Sequence, residues 1–448
     1  MAANSTLFQE YVEKYFRPIV GKVTETINGR KEAPKLWYKD LIDEEYSADL
    51  TWQSNSVANT IVAADVVALD SPLPLKKRPT LSRAAGQIPK FGIKFRKGER
   101  EIQDINIMKA RGANENQIAV KIFDDVPRVI SGIEYLTEIA FERGLSQGVT
   151  LLPNEDNEPG TAIRVSFGYK DENSFKASVV WNSATGTITP QDDVQQLFDK
   201  ANADGTTITN VYLSKAYFDL FRKSSQGRKL VADNERRVYV STNDIPVPSR
   251  SLFLDVLNEE YGADFHVIDT IIPVEKIDGS HTSIRPWEQG AVVGVCAKQV
   301  GRLVYGTLVE ETAPVQGVSY EKSGTNILVS KFSHNEPYEE FTAAASLRLP
   351  VIDSVDSVYI LHADRASEVT LDPETLSFTS SASSKKVSVK ADGDVSVTSS
   401  ESWASATLRN NTITVAVTAN ATGAARTATI TVSDESGDTA SVAVSQSA

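Results

Sequence analysis

The residues able to do chemistry fall into three groups. Carboxylates stand side by side at Asp43-Glu44-Glu45, Asp192-Asp193, Glu259-Glu260, Glu310-Glu311 and Glu339-Glu340. Paired acids can divide general-acid and general-base work only where burial separates their pKa values, and adjacent acids at surface-like positions read first as solvated decoration. Cys296 is the single cysteine, so the chain has no internal disulfide and no cysteine metal cluster. His266, His281, His334 and His362 are scattered without metal-ligand spacing. Gly301, Arg302 and Gly306 form an isolated glycine pattern that reads as turn chemistry. No nucleophile elbow, phosphate loop, dinucleotide fingerprint or EF-hand loop occurs. These residues converge on no active site, and neither enzymatic activity nor a cofactor nor a bound metal is expected.

The third group is basic. Nine Lys and Arg residues lie between Lys76 and Arg100, within SPLPLKKRPTLSRAAGQIPKFGIKFRKGERE (71–101), a stretch that also carries Pro72, Pro74, Pro79 and Pro89. Prolines at that density resist packing into a central sheet, while the alternation of Phe91, Ile93 and Phe95 reads as a strand. The expectation is an extended two-stranded arm with a basic surface, and the plainer reading is a solvated loop. An arm orders backbone without building a core, so it suits a protein whose neighbour receives it. Lys76, Lys77, Arg78, Lys94, Arg96 and Lys97 are the candidate assembly residues. Trp403 is a candidate glycan contact, set against its plainer reading as a core residue.

The element best placed to organise these groups is NQIAVKIFDDVPRVISGIEYLTEIAFERG (116–144). Val126, Val129, Ile130, Ile133, Leu136, Ile139 and Ala140 recur at helical spacing, with Arg128, Ser131, Glu134, Glu138 and Arg143 largely between them. A short helix to Phe123, a break capped by Asp124 or Asp125, and a second helix with Pro127 in its first turn and a stop at Gly144 are expected. On this reading a charge at Ile133 damages folding, whereas reversal at Glu134 acts mainly on assembly.

Around it, residues 4–27 predict a helix interrupted by Pro18, with Leu7, Tyr11, Tyr15 and Phe16 on one face. Ala162–Phe167 and Ser174–Trp181 predict a hairpin. From about 185 to 310, strand and helix signals alternate, including helices opened by Thr189-Pro190 and by Ser214 and one over 249–262. Glu336–Ala363 supplies late strands that, if they return to the long helix, make the intervening domain an insertion. From about residue 366 Ser and Thr rise to about a third of the residues, and strict alternation predicts six or seven short strands in an independent β-sandwich.

The totals fit a folded protein of two or three domains: 448 residues, 41% hydrophobic and 23% charged. A net charge of -13 argues against general nucleic-acid binding. No run is long enough to span a membrane, and the N-terminus lacks the layout of a signal peptide.

In flavour and order, residues from about 20 to 363 resemble the major capsid proteins of tailed bacteriophages, in the lambda-like capsid E branch. Residues 71–101 resemble the extended E-loop, 116–144 the spine helix of the peripheral domain, 188–221 the start of the axial domain, and 336–363 the closing strands. The resemblance implies an α+β tailed-phage capsid fold: an N-terminal arm (1–59), an E-loop region (60–110), a peripheral domain (111–187 and 320–363) and an axial domain (188–319). It also implies self-assembly into hexamers and pentamers of an icosahedral head that encloses double-stranded DNA held non-specifically, with a portal protein as partner. The chain starts almost at the capsid domain, which implies a separate scaffolding protein or none. Lys76, Lys77, Lys90, Lys94 and Lys97 lie in the arm, and the crosslinking lysine of some relatives is not assigned to any one of them.

The tail, 371–446, resembles a BACON-type immunoglobulin-like domain through Leu376-Ser377-Phe378, Trp403, Val417-Thr418-Ala419-Asn420, Gly423, Arg426–Ile430 and Gln446. The resemblance implies an all-β sandwich over 366–448, displayed outside the shell and able to meet host or mucin glycans. Ala404 stands where an aromatic residue is usual. The implied location is the virion, after assembly in the host cytoplasm. The alternatives are a carbohydrate-binding surface adhesin acting through the tail, and an encapsulin-like compartment shell.

Overall fold

The strand Tyr338–Ile352 forms the backbone of the largest sheet. On one edge it pairs with Ile327–Asn335, which in turn pairs with Ser319–Ser323. Its other edge is shared end to end by two partners: Lys90–Lys97 covers Glu340–Leu347, and Gly301–Gly306 covers Leu347–Ile352. Ile42–Tyr46 joins in parallel beyond Gly301–Gly306. The structure is a computed structural model that describes residues 5–26, 34–56, 82–152, 163–182, 187–236, 245–276, 279–366, 369–391, 395–409, 412–434 and 439–448.

The long helix, Val126–Gln147, lies against that central strand. It starts as the sequence predicts, after a separate helix Glu115–Ile122 and with Pro127 in its first turn. Asp125 occupies the cap position but makes no side-chain capping bond; its carboxylate goes to Lys97 instead, 2.8 Å away. The stop is not Gly144. Helix continues to Gln147 and ends at Gly148, whose φ of 69° is the left-handed conformation a glycine adopts without penalty. Gly144 is needed for closeness: a Cβ there would stand 2.8 Å from Phe167 and 2.9 Å from the Thr150 hydroxyl.

Other expectations are revised in the same way. Residues 9–26 stay helical throughout, with a π turn at Val12–Phe16, and Pro18 sits in the first turn of the α segment Arg17–Thr26 that follows. The hairpin over 162–181 does not form. Ile163–Ser166 pairs with Val149–Leu152, directly after the long helix, while Ser174–Ala177 joins a second sheet beside Val358–Ala366. Glu99–Ala110, at the end of the basic stretch, is a helix that sequence reasoning did not isolate.

The second sheet runs in the order Ser174–Ala177, Val358–Ala366, Ala291–Val295, Asn210–Ser214, Asp264–Ile268. Packed on it are Pro190–Ala203, Lys215–Lys223, Ser225–Asn234 and Arg250–Tyr261, whose apolar faces share one core with the strands. Ser214, Ser224 and Ser249 each accept a backbone N–H in the first turn of the helix they precede, as their residue type dictates.

Among the described residues the tail is all-β with eight strands rather than six or seven. One sheet holds Thr370–Asp372, Ser383–Lys390, Thr412–Val417 and Ala404–Arg409; the other holds Thr375–Phe378, Thr439–Gln446, Arg426–Asp434 and Val395–Ser399. Val387, Ile413, Val415, Ile430, Val432 and Val442 are fully buried between them, and this core draws only on residues from Val369 onward.

Candidate functional site

The basic candidates divide between two faces of one strand. Lys76, Lys77 and Arg78 lie outside the described residues. In Lys90–Lys97 the odd positions turn inward with Phe91, and the even ones outward. Lys94 is exposed, its Nζ 4.9 Å from the centre of the Phe341 ring, and Arg96 donates to Glu339 Oε1 at 2.7 Å. Lys97 does not belong to that surface. It is buried and paired with Asp124 and Asp125, which together raise its pKa against the opposing effect of burial. The signal was present in the sequence, since Lys97 is in phase with Phe91, Ile93 and Phe95.

Acids assigned to the surface also prove to be buried. Asp193 is fully enclosed and accepts from the Ser178 N–H at 3.0 Å, the Ser178 hydroxyl at 2.8 Å and the Trp181 indole at 2.8 Å. Glu340 accepts from the Thr6 hydroxyl and from the Leu7 N–H at 3.1 Å, with the buried Lys331 Nζ 3.4 Å away. Burial lowers the Lys331 pKa, partly offset by the Glu340 charge. Through Glu340 the first described residues of the chain are fastened to the central strand.

The long helix carries three more. Glu134, Glu138 and Glu142 are successive one-turn neighbours, and all three are buried. Glu134 therefore does not present an assembly face. It accepts from the Tyr38 hydroxyl, and lies 3.4 Å from Lys39 Nζ and 3.6 Å from Arg348 Nη2. Arg348 is itself 1% exposed, and its Nη1 donates to Asn326 Oδ1 at 3.0 Å. These groups line a cavity of about 250 Å³ with Ile42, Glu44 and Thr325. Glu138 accepts the backbone N–H groups of Trp37 at 2.9 Å and Tyr38 at 3.1 Å. Burial, then the neighbouring Glu142 charge, raises the Glu138 pKa well above the carboxylate range. The clue that sequence reasoning missed is Ile139-Ala140-Phe141, three consecutive apolar residues that leave this half of the helix no wet face.

In the tail, Trp403 is half-buried at the rim of the core rather than in its middle. The Arg426 guanidinium lies over its ring, 4.2 Å from the centre, and is held there by Gln446 Oε1 at 2.9 Å and the Thr418 carbonyl at 2.8 Å. Ala404 is fully buried.

Among the described residues no three His, Cys, Asp or Glu side chains cluster as metal ligands, and no helix is long and apolar enough to cross a membrane. Fold and side chains together define a two-part protein, an α+β body and an all-β tail. The family model described as phage major capsid protein E matches residues 20–320, and the chain belongs to that family. It is a structural protein of the phage capsid. The BACON model, described as a binding domain, matches residues 393–447, which makes the tail a BACON-type immunoglobulin-like domain.

Among solved structures, the chain is similar to a protein assigned as a prophage capsid protein of Escherichia coli CFT073, at 14% identity and a TM-score of 0.45, covering 81% of this chain and 99% of that one. A phage-related protein from Bordetella bronchiseptica RB50 matches at 11% identity and a TM-score of 0.41, covering 78% and 97%. A xyloglucanase from Bacteroides ovatus, solved with a heptasaccharide, matches at 28% identity and a TM-score of 0.17 over 18% of this chain and 19% of that one. No curated protein matches the chain.

Proposed function

We propose that the protein is the shell subunit of an icosahedral phage head, assembling with itself into hexamers and pentamers around double-stranded DNA. The observation that carries this reading is the family match over residues 20–320, joined by the late strand Tyr338–Ile352 that closes the sheet under the long helix. In this reading Val126–Gln147 is the spine of a peripheral domain (111–187 and 320–363), and 188–319 forms the axial domain. The stretch 60–110 is the E-loop region that overlaps a neighbour, anchored in the body by Lys90–Lys97 in the central sheet and by the helix Glu99–Ala110, with Lys94 and Arg96 on the exposed face of that strand. Residues 1–59 form an N-terminal arm. Many weak contacts then sum, because each bound neighbour preorganises the next. The BACON-type domain (366–448) faces outward, since one such domain per subunit inside would compete with packed DNA for volume. A portal protein and a separate scaffolding or decoration protein complete the particle, which assembles in the host cytoplasm.

The test is electron microscopy of the purified protein, alone and co-expressed with the other head proteins encoded beside it. Closed shells with six- and five-fold capsomers support the reading. A protein that stays monomeric at high concentration in both settings contradicts it.

A further inference from the structure

Glu134, Glu138 and Glu142 follow one another along the long helix, but their surroundings differ. Glu134 has cations, Lys39 Nζ at 3.4 Å and Arg348 Nη2 at 3.6 Å. Glu138 has no ion-pair partner among the described residues and accepts instead the N–H groups of Trp37 and Tyr38. The Glu142 carboxylate oxygens are buried and make no hydrogen bond of normal geometry; the polar groups beside them are Thr270, the Trp287 backbone and Glu138 itself. Two adjacent carboxylates enclosed in this way cannot both ionise without a large penalty. A single proton between them removes one charge and supplies a donor, while the Glu138 oxygens still accept the two backbone amides.

We propose that Glu138 and Glu142 share one proton, and that this proton fastens the segment Trp37–Leu41 onto the long helix. Loss of the proton puts a second negative charge into the buried pair, and water can reach it only if Trp37 and Tyr38 lift away. The charged groups around the pair do not supply another remedy. From the fastened segment, Lys39 is engaged with Glu134, and Lys35 sits 3.5 Å from the centre of the Trp37 ring. From the central strand, Arg348 is engaged with Glu134 and flanked by Glu44. From the second sheet, His266 lies edge-on to Trp37 at 5.9 Å, and burial lowers its pKa, favouring the neutral ring. From the loop beyond Thr270, Glu288 donates its N–H to the Ser146 hydroxyl, and its carboxylate accepts from the Gln147 amide.

The direction with pH follows from the folded values. Burial pushes Glu142 up to about 7 from an ordinary 4.5 and holds Glu138 above its ordinary range. The folded state thus binds more protons than the unfolded one across that window. The pair's contribution is fully present below about 4.5, begins to fall as pH rises through about 7, where Glu142 ionises, and is lost when Glu138 ionises as well, the reverse of an ordinary ion-paired carboxylate.

Hydrogen exchange of the full-length protein, corrected for intrinsic rates, reads the device directly. Above about pH 7 the opening equilibrium of the peptide carrying Trp37 and Tyr38 should rise by up to about tenfold per pH unit, while the tail strand Thr412–Val417 stays flat. Glu142→Gln, which keeps a neutral donor beside Glu138, should retain protection and abolish the pH dependence. Wild-type opening that is independent of pH, or an unchanged slope in Glu142→Gln, overturns the proposal. If that variant does not fold, infrared spectroscopy of the wild type decides. A protonated carboxyl band that persists at about pH 6 and titrates near 7 supports the shared proton, and its absence at about pH 6 excludes it.

Discussion

Arg348 Nη2 lies 3.6 Å from Glu134 Oε2, so the late strand Tyr338–Ile352 carries a buried cation back to the long helix Val126–Gln147. Between these two positions in the chain lies the whole second sheet except its strand Val358–Ala366. The pair therefore joins the two ends of the body across everything inserted between them. It also converts a residue that the sequence placed on an assembly face into part of the core.

Reversal of this charge should act on folding. Glu134→Arg places a cation against Lys39 and Arg348, and breaking a buried pair typically removes about 3–5 kcal/mol. The expected outcome is a lower urea midpoint for the soluble protein, with little change in slope. Arg96→Glu is the contrast. Arg96 is 71% exposed although its partner Glu339 is only 12% exposed, so the reversal should cost about 1 kcal/mol, well short of the loss at Glu134.

Glu138→Ala removes the acceptor of two backbone N–H groups, that of Tyr38 buried and that of Trp37 half-buried. Two orphaned donors predict a loss of about 2–4 kcal/mol by chemical denaturation, larger than for Glu138→Gln, which keeps one acceptor oxygen.

Gly144→Ala tests why a glycine stands inside the helix rather than at its end. Helix propensity alone favours alanine by about 1 kcal/mol. The new Cβ would meet Phe167 at 2.8 Å, and overpacking of this kind typically subtracts about 1–3 kcal/mol. A lower melting temperature is expected, whereas the same change at Gly21, whose Cβ meets nothing within 4 Å, should be neutral or stabilising.

Much of this fold could be read from local chemistry. Ser214 and Ser249 announce their helices because a hydroxyl before an apolar period caps it. The tail is legible because one face of each strand is wet, so Val387, Ile413 and Val415 alternate with polar residues. What local chemistry cannot show is a partner distant in sequence. Glu138 is buried because the N–H groups of Trp37 and Tyr38 come to it from 100 residues earlier, and Glu340 because Thr6 and Leu7 do. The missed hairpin has the same origin: Ser174–Ala177 pairs with Val358–Ala366, a strand that arrives much later in the chain. Among the basic candidates, Lys97 could have been separated from Lys94 and Arg96 by counting strand phase.

Among the described residues the tail core contains none from the body, so removing 367–448 should leave the unfolding of the body unchanged. Differential scanning calorimetry should lose one transition and keep the rest.

The central claim, that this chain builds a shell by contact with itself, is tested most directly by cryo-electron microscopy of particles formed by the full-length protein. The account predicts closed shells with hexameric and pentameric capsomers, Val126–Gln147 within the shell wall and the BACON-type domain on the outer surface. A protein that yields no closed assembly, alone or with its neighbouring head proteins, would contradict it.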